Sequence, residues 1–137
     1  AYEIEERLVG SEMCIETDTY VVDAGEGKDG IRKITDIMSF YSLPSTIIGN
    51  EHHKELRAAF SYYNIANTAS LKSLMEDALI CARDENFDVF NALDIMQNAE
   101  FMKDLKFGIG DGHLQYYLYN WKVKKALTPQ QVGLVLL

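Results

Sequence analysis

Residues 71–82 carry the clearest periodicity in the chain, and this segment limits the folds that are open to the rest. Its apolar residues recur at spacings of three and four positions, which is typical of a helix with one apolar face. They are Leu71, Leu74, Met75, Ala78, Leu79 and Ala82. Ser70 directly precedes them, and its hydroxyl can accept a hydrogen bond from an amide of the first turn, so we expect it to cap the helix. The apolar face must be covered by another layer of secondary structure.

The segment that comes before this helix is typical of a β-hairpin. Residues 19–23 are rich in β-branched and aromatic side chains, and a glycine-dense acidic stretch at 24–30 leads from them to a second strand at 31–43. Pro44 has no N–H to give to a strand ladder, so the second strand should end or bend there. We therefore predict a hairpin whose turn lies in the acidic stretch.

Further strands and one more helix are expected in the rest of the chain. Residues 59–65, 87–90 and 114–121 resemble strands, and residues 50–57 fit either a helical turn or a loop. Asn98 can cap a second helix that carries Phe101, Met102 and Leu105 on one face. Because strands outnumber helices and connect partly through hairpins, the predicted class is α+β, with helices packed on a mixed, mostly antiparallel sheet.

The composition indicates one globular domain with an acidic surface. Of 137 residues, 47% are apolar and 25% are charged, and 13 Lys and Arg against 21 Asp and Glu give a net charge of −8. This charge argues against nucleic acid and anionic membranes as partners and favours basic peptides. No apolar run approaches the ~20 residues of a transmembrane helix, and the acidic first residues are unlike a signal peptide. The chain also lacks an initiator Met, which indicates a fragment of something longer.

The two cysteines, Cys14 and Cys81, lie far apart in the sequence and have no histidine cluster beside them. This pattern argues against a metal site. Two unpatterned thiols suit a reducing compartment, so we predict a cytoplasmic protein.

The segment Gly108-Ile109-Gly110-Asp111-Gly112 is the most unusual local feature. It lacks the glycine spacing, the preceding strand and the following helix that a phosphate-binding loop needs. Two interpretations stay open. One is a tight turn in which Asp111 caps its own amides, and the other is a peptide-facing loop in which the glycines admit a ligand backbone.

The remaining polar candidates form no familiar catalytic set. His52, His53 and His113 lack a nucleophilic partner at motif spacing, so we expect all three at the surface or in loops. The last six residues, V-G-L-V-L-L at 132–137, are unusually apolar for a chain end. We expect them to be buried, and taken alone they predict a last core strand.

Four segments together resemble a known family. They are F-Y-S-L-P-S-T at 40–46, D-V-F-N-A-L-D at 88–94, K-F-G-I-G-D-G-H-L-Q-Y-Y-L-Y-N-W at 106–121, and the terminal V-G-L-V-L-L. From about Asp18 to Leu137 the chain resembles the C-terminal part of eukaryotic N-myristoyltransferase. The resemblance implies a GNAT-like acyltransferase half that forms most of the acceptor-peptide groove. It also implies that an absent N-terminal half binds the co-substrate myristoyl-CoA, with no cofactor bound by this chain.

The resemblance further implies which residues contact substrate. The groove residues are Ser45, Leu56, Phe60, Val89, Asn91, Ala92, Asp111, Gly112 and Leu114. Phe60 departs from the family, where tyrosine is usual, so it keeps the aromatic wall but loses a hydroxyl. Residues 122–131 also depart from the pattern in their length and in lacking a Cys-Pro pair.

The implied catalytic group is the α-carboxylate of Leu137. The acceptor is an N-terminal glycine whose amine has an ordinary pKa of about 8 and must lose a proton before it attacks a thioester. A carboxylate desolvated by Leu134, Val135 and Leu136 should have a raised pKa and can take that proton. Two alternatives remain open: a non-catalytic peptide-binding module without the acyl-CoA site, and a GNAT-like structural domain. Only the interpretation as a transferase gives a reason to bury a terminal carboxylate.

Overall fold

The structure is a computed structural model that describes residues 4–5, 17–43 and 45–135. The strands, in chain order, are β1 (Ile4–Glu5), β2 (Thr17–Glu26), β3 (Arg32–Ser42), β4 (Ser45–Thr46), β5 (Glu55–Leu56), β6 (Ala58–Ser61) and β7 (Val89–Asn91). The helices are α1 (Leu71–Asp84) and α2 (Ala99–Met102), and a single 3-10 turn covers Pro129–Gln131. The sequence therefore located the hairpin strands and the main helix correctly.

The main sheet has five strands in the order β1-β2-β3-β6-β7. Its pairs are antiparallel except for β6 and β7, which run parallel because α1 carries the chain from one to the other. A small second sheet pairs β4 with β5, and the Leu43 amide donates to the Ala58 carbonyl at 2.9 Å where the two sheets meet. The predicted α+β class with a mixed, mostly antiparallel sheet is confirmed.

Helix α1 forms as the sequence predicts and covers one face of the sheet. The Ser70 hydroxyl accepts a hydrogen bond from the Ser73 amide at 3.1 Å, so the predicted cap is confirmed. The buried residues of the helix are Leu74, Met75, Ala78 and Ala82. Most of them pack against Val22 and Met38 of the hairpin and against Phe101, whereas Ala82 joins Phe40 and Ala59. Each large apolar side chain buried here contributes about 1.5–3 kcal/mol to stability.

A buried carboxylate ties β3 to the start of α1. Asp36 is fully buried, and its Oδ1 accepts hydrogen bonds from the amides of Asn67, Thr68 and Ala69 at 2.7, 2.8 and 3.0 Å. The Thr68 hydroxyl donates to the other carboxylate oxygen. The loop that precedes α1 is therefore held against the sheet by one side chain.

The C-terminal end of α1 is held by Arg57, which lies between β5 and β6. Its guanidinium donates to the carbonyls of Glu85 and Asn86 at 2.9 and 3.3 Å and lies over the Phe87 ring, 4.9 Å from the centroid. The Asp88 carboxylate in turn accepts from the Arg57 amide at 2.9 Å. These contacts direct the chain from the helix into β7. The sequence predicted that this strand begins at Phe87, but it begins at Val89.

Three local predictions were wrong. Asn98 does not cap α2, because it has helical backbone angles and its side chain donates to the Leu93 carbonyl at 2.8 Å. The strand predicted at 59–65 ends at Ser61, and beyond it the Tyr62 amide donates to the Ser39 carbonyl and Ile65 forms an isolated bridge with Ile37. Residues 114–121 form no strand, because no described strand lies beside them to complete a ladder.

Candidate functional site

Strands β6 and β7 bring four of the predicted groove residues together. The parallel register places Phe60 opposite Asn91 and Ala58 opposite Val89, and Ala92 follows directly on β7. All four predicted residues are half-buried or exposed, so their side chains are accessible at this edge of the sheet. Because adjacent strands lie about 4.8 Å apart, Phe60 and Asn91 can contact the same ligand.

Ser45 and Leu56 lie on the small sheet that continues from this edge. They are direct partners in the β4–β5 register. Since β4 follows β3 and β5 precedes β6, the small sheet extends the pair formed by β3 and β6, and β6 carries Phe60. The structure thus connects six of the nine predicted groove residues through adjoining strands.

The aromatic wall of the site is formed by Phe60 stacked on Tyr41. The two ring centroids are 5.4 Å apart and the planes differ by 15°. Tyr41 is buried, and its burial raises the pKa of its hydroxyl, with Tyr116 and Tyr62 contributing. The wall is therefore uncharged at neutral pH and suits apolar contact with a ligand.

Asp111, Gly112 and Leu114 lie on an irregular segment whose two ends are anchored near this edge. At one end the Phe107 ring contacts the Phe90 ring edge-on, with centroids 6.3 Å apart. At the other end the Tyr116 hydroxyl donates to the Leu134 carbonyl at 2.9 Å. The three predicted residues are exposed between these anchors, and no hydrogen bond or ring contact among the described residues joins them to Phe60 or Asn91.

The tight-turn interpretation of residues 108–112 was wrong. The glycines with positive φ in the described chain are Gly25, Gly30 and Gly49, and none of the three glycines in this segment is among them. No described amide donates to the Asp111 carboxylate, so the predicted self-cap is absent as well. An added Cβ would meet nothing within 4 Å at Gly108, Gly110 or Gly112. Neither backbone conformation nor a close contact within the described chain therefore requires glycine at these positions.

The C-terminal segment reaches the same aromatic cluster. Val135 is buried with Tyr41 and Ile95, and Phe60 packs against this group. The Tyr63 hydroxyl accepts a hydrogen bond from the Val135 amide at 3.2 Å. Of the described residues that were expected to be buried, Val135 is buried and Val132 is half-buried, but Gly133 and Leu134 are exposed, and no strand forms here. The predicted burial of the chain end is therefore wrong at Gly133 and Leu134. Residues 136 and 137, and with them the predicted base at Leu137, lie outside the described residues.

Sequence reasoning missed Tyr63 and Tyr116 as residues that hold the chain end. The available signal was chemical, because a tyrosine in an aromatic cluster usually finds a hydrogen-bond partner for its hydroxyl. The pattern could not name that partner, since Val135 is 72 residues from Tyr63 in sequence.

Among the residues that the structure describes, the remaining reactive side chains do not form a catalytic set. His52, His53 and His113 are exposed, as predicted, and the amides of His52 and His53 donate to the Asn50 side chain in a local turn. Burial, with the nearby carboxylates of Asp77 and Glu85, raises the pKa of the Cys81 thiol to about 11. A thiol of that pKa is a poor nucleophile at neutral pH.

The mostly antiparallel sheet with α1 across it, and the aromatic edge beside it, define an α+β domain that is consistent with a GNAT-like half. Comparison with known families then identifies the group. Residues 2–135 match the family described as myristoyl-CoA:protein N-myristoyltransferase, C-terminal domain, and the chain belongs to this family.

Individual relatives agree with this assignment. The chain is 55% identical over 120 residues to glycylpeptide N-tetradecanoyltransferase 1 of Arabidopsis thaliana, and this alignment covers 88% of the chain and 27% of that protein. It is 56% identical over 119 residues to glycylpeptide N-tetradecanoyltransferase 2 of Danio rerio, which covers 87% and 23%. The chain therefore spans about a quarter of the length of these relatives.

A solved structure supports the fold. The N-myristoyltransferase of Saccharomyces cerevisiae, crystallised with bound myristoyl-CoA, superposes with a TM-score of 0.59 at 41% sequence identity. The match covers 70% of this chain and 24% of the yeast protein. No helix in the described part of the chain is both long and apolar enough to cross a bilayer.

Proposed function

We propose that this chain forms the acceptor-peptide half of an enzyme that transfers myristate from myristoyl-CoA to the N-terminal glycine of proteins. Family membership and relatives named glycylpeptide N-tetradecanoyltransferase support this activity. The observation that carries the assignment of roles is that Phe60, which lies opposite Asn91, packs on the same cluster as Val135 near the chain end. A peptide bound along Phe60 would therefore lie close to the C-terminal segment.

The acceptor peptide lies along the joined strand edges in this proposal. Ser45, Leu56, Phe60, Val89, Asn91 and Ala92 line one side of the groove, and Asp111, Gly112 and Leu114 close it from the anchored segment. Exposed strand positions and glycines without side chains allow a ligand backbone to approach closely. The net charge of −8 favours the approach of basic peptides.

The α-carboxylate of Leu137 is the proposed general base. It takes a proton from the glycine ammonium, and the neutral amine then attacks the thioester carbonyl and displaces CoA. A base on the main chain is consistent with the lack of a catalytic set among the described histidines and cysteine. Anchoring of Val135 two residues earlier limits the positions that this carboxylate can take.

A second polypeptide segment, the N-terminal half of the enzyme, is the proposed partner of the exposed aromatic segment. Ile109, Tyr117, Tyr119 and Trp121 are 79–97% exposed. Apolar exposure on this scale is typical of an interface with a partner. The chain spans about a quarter of the length of its relatives. In this proposal the N-terminal half and its myristoyl-CoA site belong to the remaining length. The complete enzyme is proposed to be cytoplasmic.

The division of roles predicts different activities for the chain alone and for a full-length chimera. The chimera joins this chain to the preceding residues of the Arabidopsis thaliana relative, which is 55% identical to it over 120 residues. We expect transfer of labelled myristate to a glycine-initiated peptide by the chimera and none by the 137-residue chain. A chain alone that turns over would refute the two-half assignment. A folded chimera that binds peptide but transfers nothing would instead favour the non-catalytic peptide-binding alternative.

Asp111 should set a preference for peptides with a hydroxyl or basic side chain near the acceptor glycine. A carboxylate without a partner in the described chain can accept a hydrogen bond from either group. In the chimera, Asp111→Asn should weaken the affinity for such peptides by about fivefold and leave alanine-substituted peptides nearly unchanged. Isothermal titration with matched peptides measures both.

Asp94→Asn is the matched control, because Asp94 is also exposed and the substitution changes net charge equally. This control tests whether the change in net charge alone explains the loss of peptide affinity in Asp111→Asn. Equal losses for both peptide classes in Asp111→Asn, or the same selectivity change in Asp94→Asn, would show that Asp111 does not contact the peptide.

A further inference from the structure

Two tyrosine hydroxyls bind the backbone of the C-terminal segment. The Tyr63 hydroxyl accepts from the Val135 amide at 3.2 Å and lies 3.5 Å from the Gly133 carbonyl, to which it can donate. The Tyr116 hydroxyl donates to the Leu134 carbonyl at 2.9 Å. Polar backbone atoms of three successive residues are therefore held by side chains from two different parts of the chain.

These contacts replace the ladder that a strand would provide. Residues 132–135 belong to neither sheet, so within the described chain no backbone ladder fixes their position. The Val135 side chain is buried with Tyr41 and Ile95, which holds the segment against the cluster but does not orient its backbone. Hydrogen bonds are directional, whereas apolar burial is not. Orientation of the backbone at Val135 thus depends on the Tyr63 hydroxyl.

We infer that Tyr63 is a positioning residue for the terminal carboxylate, with Tyr116 as a second support. This inference rests on the proposed function of Leu137 as the general base. Two residues of extended chain span at most about 7 Å. A change in the direction of the backbone at Val135 therefore moves the carboxylate by up to several ångströms. A displacement near 1 Å at a reacting centre can cost ~10²-fold in rate.

The neighbouring Tyr62 offers a matched control. Its ring lies beside that of Tyr63, with centroids 4.4 Å apart, and both rings pack against the same cluster. Within the described residues, however, the Tyr62 hydroxyl donates to no acceptor and accepts from no donor. Removing either hydroxyl changes the cluster by one oxygen atom, but only removal of the Tyr63 hydroxyl takes away a hydrogen bond to the chain end.

The experiment compares Tyr63→Phe, Tyr116→Phe and Tyr62→Phe in the full-length chimera. We expect Tyr63→Phe to lower the single-turnover rate of myristate transfer about tenfold or more, with peptide Kd within twofold of the unmodified chimera. Tyr116→Phe should lower the rate in the same direction, and Tyr62→Phe should leave rate and Kd unchanged. Thermal unfolding of each variant shows whether the comparison is made between equally folded proteins.

A rate for Tyr63→Phe equal to that of the unmodified chimera would overturn the inference, and so would equal effects of Tyr63→Phe and Tyr62→Phe. If Tyr63→Phe does not fold, the same criteria apply to Tyr116→Phe. Failure of the proposed function has a different signature. In that case an amide at Leu137 leaves the rate unchanged, whereas failure of the positioning role alone leaves the amide inactive and Tyr63→Phe fully active.

Discussion

Converting the α-carboxylate of Leu137 to an amide in the full-length chimera is expected to lower kcat by ~10²–10⁴-fold. The amide cannot accept the proton of the glycine ammonium, so the amine stays protonated and does not attack the thioester. Peptide affinity should change little, because the groove residues are side chains of β4 to β7 and of the segment that follows them. Single-turnover transfer and peptide Kd, measured for the free acid and the amide, give both quantities.

The control for this prediction is stability. If residues 132–137 serve only as part of the core, the amide is nearly silent in transfer, and truncation of several residues lowers the melting temperature. An extension by one glycine moves the carboxylate by about 3.5 Å and should be as inactive as the amide. Unchanged rates in the amide, at a matched melting temperature, would refute the catalytic role of Leu137.

Asp36→Ala is expected to destabilise the chain by about 3–4 kcal/mol. The substitution removes the acceptor of three amides, those of Asn67, Thr68 and Ala69. Each lost bond should cost about 1 kcal/mol, the low end of the range for an unsatisfied donor, because Asn67 and Thr68 are exposed and water can reach them. The loop before α1 would then detach from β3. Urea unfolding measures the loss, and Asp94→Ala, at an exposed carboxylate, should stay within about 0.5 kcal/mol of the unmodified chain. Equal losses in the two variants would contradict the anchoring role.

The same carboxylate should make stability depend on pH. Burial alone would raise the pKa of Asp36, but hydrogen bonds from the side chains of Thr35 and Thr68 and from the amides of Thr68 and Ala69 hold it well below its usual range. A folded-state pKa below the unfolded value of about 3.9 gives stability that is fully present above that value. This stability is lost as the pH falls below it toward the folded-state pKa. Asp36→Asn should remove this acid dependence, whereas a curve parallel to that of the unmodified chain would show that other groups cause it.

Local sequence patterns predicted the structure correctly where the residues of a single helix or strand determine it. The spacing of Leu74, Met75 and Ala78 and the hydroxyl of Ser70 determine α1 and its first turn. Strands β2 and β3 follow in the same way from their β-branched residues. The groove residues on β4 to β7 were correctly expected in strands or beside them, except at Leu56, where a loop or a helical turn was expected. Their grouping at one edge came from the family resemblance.

Local patterns failed where a residue depends on a partner elsewhere in the chain. Asn98 has the side chain of a helix cap but donates to Leu93 instead, and the strand-like residues 114–121 have no described strand beside them. The glycines at 108–112 suggested a turn, yet none adopts positive φ. In each case the intrinsic preference is worth about 1 kcal/mol or less, which a tertiary contact or its absence readily outweighs.

The sequence by itself determined the α+β class, the main helix with its cap, the long hairpin and the family to which the chain belongs. Periodicity and capping are local properties, and the family motifs are contiguous stretches of sequence. Only the tertiary structure decided that Asp36 holds the loop before α1, that Phe60 stacks on Tyr41, and that Tyr63 binds the backbone of Val135. Hydrogen bonds and ring contacts of this kind join residues that are distant in sequence, and their partners are specified only when the sheet brings them together.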